Sequence, residues 1–127
     1  MAHRPHILII DDNQDHLELL RLALGLRFQI TTASDGLDGY AEACHIRPAA
    51  ILLDVMMPVV DGYTVLRKLR TNAATKNIPI TIVTALDPES VDPSVRVWGV
   101  TTILRKPCHA GEILQALEDA LVTSPSE

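Results

Sequence analysis

The sequence predicts a doubly wound α/β fold, a five-stranded parallel sheet with helices on both faces. Three observations predict it. Short apolar runs rich in β-formers recur five times, segments of helical period separate them, and four of the runs stop at residues able to do chemistry: Asp11 and Asp12, Asp54, Thr84 and Lys106. Strands alternating with helices imply parallel neighbours, because a parallel pair needs a right-handed crossover that lays a helix on the sheet.

The elements follow in order. Ile7-Leu8-Ile9-Ile10 is a continuous apolar run that stops at Asp11-Asp12, as a strand buried on both faces does. Leu17, Leu20 and Leu24 then recur at helical spacing, with Asn13 as cap and Gly25 as stop. Phe28 to Ala33 is the second strand. Ser34 is expected to cap a second helix with Leu37, Ala41 and Cys44 on its apolar face, ended by Arg47-Pro48. Ala50-Ile51-Leu52-Leu53 is the third strand and ends on Asp54. After a turn containing Pro58 and Gly62, Val65, Leu66 and Leu69 mark the third helix. Ile80 to Val83 is the fourth strand, ending at Thr84. A short or irregular fourth helix is expected within Asp87 to Gly99, because Pro88, Pro93, Val91, Val95 and Val97 are poor helix formers. Thr102 to Arg105 is the fifth strand, and Ile113, Leu114, Leu117 and Leu121 mark the last helix.

A chain of 127 residues fits one domain and buries a core without disulfides. One domain over 1–127 is expected, with its core at about 6–122 and a polar tail at 123–127 that reads as the start of a linker if the chain continues. The core must be aliphatic, since Phe28, Tyr40, Tyr63 and Trp98 are the whole aromatic content. Net charge is -5 without a Lys/Arg cluster, which argues against direct binding to nucleic acid. The apolar runs fall short of the roughly 20 residues that span a bilayer. Met1-Ala2-His3-Arg4-Pro5 lacks a signal-peptide core, so no membrane association and a cytoplasmic location are expected. Cys44 and Cys108 lack the spacing of a disulfide framework or zinc knuckle, and Cys44 reads as core. His3, His6, His16, His45 and His109 are scattered without metal-ligand spacing and read as surface or structural residues.

In an open parallel sheet, ligands bind outside the carboxyl ends of the strands, which is where Asp11, Asp12, Asp54, Thr84 and Lys106 fall. Taken singly, an Asp-Asp pair after a strand or a Lys-Pro pair is ordinary turn and cap chemistry. Their joint placement at strand ends is not. Three crowded carboxylates repel one another unless a cation joins them, and magnesium suits oxygen ligands of this kind. Lys106 and the Thr84 hydroxyl would supply a positive charge and a hydrogen bond to a transferred phosphoryl group, with Asp54 as nucleophile.

Four stretches, Ile7 to Asp12, Ile51 to Gly62, Ile82 to Ala85 and Lys106-Pro107, closely resemble the receiver domain of two-component response regulators, and the likeness runs from Ile7 to about Leu121. The resemblance implies a flavodoxin-like sheet of strand order 2-1-3-4-5. It implies that Asp54 accepts a phosphoryl group from a sensor histidine kinase or histidine phosphotransfer protein. Asp12 would bind magnesium directly, Asp11 would orient one of its waters, and the Met56 carbonyl would be a further ligand beside Asp54. Thr84 and Lys106 would grip the phosphoryl oxygens, with small Ala85 leaving room. A cis Lys106-Pro107 bond is implied as well. The output surface would be the fourth helix, fifth strand and fifth helix, facing a downstream protein, an output domain or a second copy in a homodimer. Such a chain is a phosphoacceptor that assists its own phosphorylation and dephosphorylation, not an enzyme with a separate substrate.

Two departures concern signal transmission. The family usually carries Tyr or Phe where this chain has Ile103, and a small residue where it has Trp98. Three other functions compete. An aspartyl-phosphate phosphohydrolase needs an Asp-x-Asp pattern on the first strand, but Asn13 and Gln14 stand two residues after Asp11 and Asp12. A flavin mononucleotide carrier needs a phosphate cradle at a helix start, where Asp11-Asp12 would repel the phosphate. A degenerate receiver that serves only as a protein-interaction module would not need all five chemical residues.

Overall fold

The computed structural model describes residues 4–57, 61–100 and 102–123. Strands β1 (His6–Ile10), β2 (Gln29–Ala33), β3 (Ala50–Leu53), β4 (Ile80–Thr84) and β5 (Thr102–Arg105) form one sheet of order β2-β1-β3-β4-β5. All four pairings are parallel. Helices α1 (Gln14–Leu24), α2 (Gly36–Ile46), α3 (Gly62–Arg70), α4 (Ser94–Val97) and α5 (Ala110–Thr123) complete the alternation.

Side chains alternate across each strand, so each central strand feeds two cores. Leu8, Ile10, Ile51, Leu53, Ile80 and Ile82 face the layer of α2, α3 and α4. Ile7, Ile9, Ala50, Leu52 and Val83 face α1 and α5, where Leu17, Leu20, Leu24, Ile113 and Leu117 cover them. This two-sided burial is why the strands read as unbroken apolar runs.

Helix α1 matches its expected bounds: the Asn13 side chain accepts the His16 amide, and the Gly25 amide closes the last turn on the Arg21 carbonyl. Helix α2 corrects two expectations. Its cap is Asp35, not Ser34, and it buries Gly36, Gly39 and Ala43. Leu37 is 58% exposed and Ala41 is also exposed. The reason is distance. A Cβ on Gly39 would stand 2.7 Å from the Ile10 side chain, so the helix lies against β1 along its smallest residues, with Tyr40 and Ile46 packed beside them and Leu37 turned outward. Cys44 is half-buried rather than core, with its Sγ accepting from Asn72 Nδ2 at 3.5 Å.

Gly62 does not sit in a turn but opens α3 directly after the cap residue Asp61. The turn residue Pro58 and the tail at 124–127 lie outside the described residues. Between β4 and β5 the chain is irregular, as its prolines and valines predict: a 3-10 turn at Pro88–Ser90, then the single helical turn of α4. Buried Val91, Val95 and Val100 anchor this segment from below, and half-buried Trp98 packs on the same core. Arg70 ties its end to the chain before β4, donating from Nε to the Trp98 carbonyl at 2.5 Å and from Nη1 to the Ile78 carbonyl at 2.7 Å.

Candidate functional site

Register places the site. Ile10 of β1 pairs with Leu53 of β3, so the next residues, Asp11 and Asp54, emerge side by side at the carboxyl end of the sheet. The Asp54 amide bonds the Ile10 carbonyl at 3.0 Å, and the Asp11 amide bonds the Ala33 carbonyl at 3.1 Å. Thr84 of β4 pairs with Arg105 of β5, and the Lys106 amide then donates to the Thr84 carbonyl at 2.7 Å. Three backbone ladders therefore aim the side chains before any of them interacts.

Asp11 and Asp54 are 2% and 5% exposed, while Asp12 faces solvent. One carboxylate oxygen from each of the three lies within 4.8 Å of the others. Lys106 Nζ bridges the two buried acids, donating to Asp11 Oδ2 at 2.7 Å and Asp54 Oδ2 at 3.0 Å. Asp54 Oδ1 accepts the Met56 amide at 2.9 Å. Asp11 Oδ1 accepts the Asn13 amide at 3.0 Å.

These contacts set the protonation states. Burial alone would raise the Asp11 pKa, but hydrogen bonds from His16, Lys106 and the Asn13 amide outweigh it and hold the carboxyl below its ordinary range. Burial alone would lower the Lys106 pKa, but its hydrogen bonds and attraction to Asp11 and Asp54 raise it instead. The acid and the base thus stabilise each other's charged forms. Three carboxylates against one ammonium leave the cluster net negative, and its donors are all hard oxygens, the set that suits magnesium.

The structure thus brings together Asp11, Asp12, Asp54 and Lys106. Thr84 is buried at the end of β4, and its hydroxyl accepts the Leu86 amide at 3.3 Å. Met56 joins through its amide, with its side chain 55% exposed. Sequence reasoning missed His16. Its Nδ1 donates to Asp11 Oδ2 at 2.7 Å, although its spacing in the sequence reads as that of a surface or structural histidine. The available signal was its position: it is the third residue of α1, where a side chain reaches back toward the cap and the chain before it. Beside the cluster an open groove of about 630 Å³ runs between α1 and the start of α5, lined by His16, Leu19, Leu20, Ala85, Lys106 and Pro107. The Lys106-Pro107 peptide is cis.

A doubly wound sheet with acids and one bridging lysine at its carboxyl edge defines the class: a phosphoacceptor domain of the receiver type. A model of the response regulator receiver domain matches residues 7–118, and the chain belongs to that family. It is 39% identical over 102 residues to the response regulator PleD of Caulobacter vibrioides, an alignment covering 80% of this chain and 22% of that protein. The chain spans 46%, 55% and 53% of the length of three other curated relatives, the regulators RpaA, PrrA and MprA. The chemotaxis protein CheY4 of Vibrio cholerae superposes with a TM-score of 0.85 at 27% identity, covering 94% of this chain and all of that one. The receiver domain of a Pseudomonas aeruginosa sensor histidine kinase, solved with a magnesium ion in its active-site cleft, gives 0.79 at 27% identity over 95% of this chain and all of that one.

Proposed function

We propose that Asp54 accepts a phosphoryl group from the phosphohistidine of a sensor histidine kinase or a histidine phosphotransfer protein. The observation that carries this is the Lys106 ammonium bridging Asp11 and Asp54 at the carboxyl end of the sheet. An Asp54 carboxylate oxygen attacks phosphorus, the bond from phosphorus to the donor nitrogen breaks, and the departing imidazole leaves with the electron pair and takes a proton. Asp11, Asp12, Asp54 and the Met56 carbonyl would hold magnesium, which when bound neutralises charge on the phosphoryl oxygens. Lys106 turns from the carboxylates to the same oxygens, and the Thr84 hydroxyl donates to them. The chain thereby assists its own phosphorylation and dephosphorylation without a separate substrate.

The whole of 1–127 is read as one receiver unit, with its core at about 6–122. The donor would dock in the groove that Lys106, His16 and exposed Leu19 line. The face of α4, β5 and α5 would pass the signal to a downstream protein, an output domain or a second copy. Such a relay belongs in the cytoplasm, and among the described residues no helix is long and apolar enough to cross a membrane.

Incubation with acetyl phosphate and magnesium, followed by intact-mass spectrometry, tests the reading. Wild type should gain one hydroxylamine-sensitive phosphoryl group, and chelation of the metal or Asp54→Asn should abolish it. Lys106→Ala should still bind metal but label roughly a hundredfold more slowly, the scale of losing one donor to transition-state charge. Normal labelling of Asp54→Asn would remove Asp54 from this role, and metal-independent labelling would remove magnesium from it.

A further inference from the structure

We propose that His16 is a positioning residue for phosphorylation, one that keeps the Asp11 carboxylate in place when Lys106 leaves it for the phosphoryl group. This rests on the phosphoacceptor reading above and deepens it.

Asp11 Oδ2 accepts two hydrogen bonds of equal length, 2.7 Å from Lys106 Nζ and 2.7 Å from His16 Nδ1. The two donors are not equivalent in the reaction. Lys106 also holds Asp54 Oδ2, and once Asp54 carries a phosphoryl group that ammonium belongs with the new oxygens. Asp11 then loses a donor in a place where bulk water reaches it poorly, since only 2% of its surface is exposed. An unsatisfied buried acceptor is costly, and a carboxylate free to rotate no longer aims its oxygens.

His16 has no such second duty. Its own amide is fixed on Asn13 Oδ1 at 3.0 Å, so the ring is carried by the capped first turn of α1 and does not move with Lys106. Together, the Asn13 amide on Oδ1 and His16 Nδ1 on Oδ2 pin both Asp11 oxygens from one side. The carboxylate plane is thereby set without the lysine. The bond needs only a proton on Nδ1, which the neutral Nδ1-H tautomer and the imidazolium both carry. His16 does not touch the reacting atoms, and its effect passes through Asp11.

Manganese binding followed by electron paramagnetic resonance, with Mn2+ standing in for magnesium and beryllium fluoride added to occupy Asp54 and draw Lys106 away from Asp11, tests this on the intact chain. His16→Leu should weaken Mn2+ binding by roughly tenfold, the lower end of what outer-shell partners of metal ligands contribute. It should slow labelling by acetyl phosphate at subsaturating metal and recover it at high metal. His16→Asn, whose amide nitrogen falls where Nδ1 stands, should restore most of the affinity. His16→Ala serves as the truncation if the leucine variant does not fold. Unchanged or tighter Mn2+ binding in the truncations overturns the proposal, as does equal weakening in Asn and Leu variants. Slower transfer from a protein donor, with normal Mn2+ affinity and normal acetyl phosphate labelling, would also overturn it, placing His16 in the docking groove alone. If wild type binds no Mn2+, the metal site itself fails, a result distinct from any of these.

Discussion

If Asp54 is the phosphoacceptor proposed above, Met56 and Leu86 bear on how long the phosphoryl group lasts. Hydrolysis of an aspartyl phosphate needs a water held in line with phosphorus, and a polar side chain at the rim is what holds it. Here the residues two beyond Asp54 and two beyond Thr84 are Met56 and Leu86. Met56 is turned to solvent, and Leu86 packs against the core, so neither side chain offers the water a hydrogen bond. A long-lived phosphorylated state is expected. Replacing Met56 by Asn and Leu86 by Glu should shorten the half-life of the labelled protein by roughly an order of magnitude, measured by intact mass after removal of the donor. An unchanged or longer half-life in the double variant would place control of hydrolysis elsewhere.

At the scale of elements, α2 is held by closeness rather than bulk. Its buried residues are glycines and an alanine, and the Ile10 side chain occupies the space a Cβ on Gly39 would need, with contacts of 2.7 to 2.8 Å. Gly39→Ala must push α2 off β1 or force Ile10 from its rotamer, at a cost of about 1–3 kcal/mol. Leu37→Ser, on the exposed face of the same helix, should change stability by less than about 0.5 kcal/mol. Urea titrations of the two variants distinguish them. A stable Gly39→Ala beside a destabilised Leu37→Ser would mean that the helix packs on its larger residues after all. The same reasoning applies at Gly62, where a Cβ would stand 2.5 Å from the Asp54 carbonyl oxygen, so α3 begins close against the loop that carries the phosphoacceptor.

Across the whole molecule, the proposed output face puts β4 and β5 on the path from Asp54 to a partner. Half-buried Ile103 on β5 is β-branched, restricted at χ1, and has neither ring nor hydroxyl, so it cannot act as a rotating aromatic. The segment from Asp87 to Val100 is better suited to move. It contains one helical turn and one 3-10 turn, and such short elements rearrange at low cost. Arg70 ties its end to α3 through the Trp98 carbonyl, which makes Trp98 a reporter at the joint. As the only tryptophan in the chain, its emission should shift when beryllium fluoride and magnesium are added. Amide exchange in 87–100 should change with it. Constant emission together with unaltered exchange would direct the signal through another face.

The sequence by itself determined the alternation of elements, the order of reactive residues along the chain and the weakness of the fourth helix, because each depends on local periodicity and backbone preference. The continuous apolar runs of β1, β3 and β4 mark strands buried on both faces, and Pro88 and Pro93 limit a helix wherever they fall. Membership of the receiver family was legible for the same reason, since its motifs sit at strand ends and need no knowledge of packing. Only the tertiary structure decided which face of α2 is buried, because an approach close enough to demand glycine at Gly39 puts Leu37 outside while Tyr40 and Ile46 pack on the core. It alone decided that His16 belongs with Asp11, a contact of 2.7 Å made across the turn from β1 into α1. And it alone decided that the Lys106 ammonium spans both buried carboxylates, 95 residues from one and 52 from the other. Contacts across such separations depend on sheet register, and register is a property of the assembled sheet rather than of any one strand.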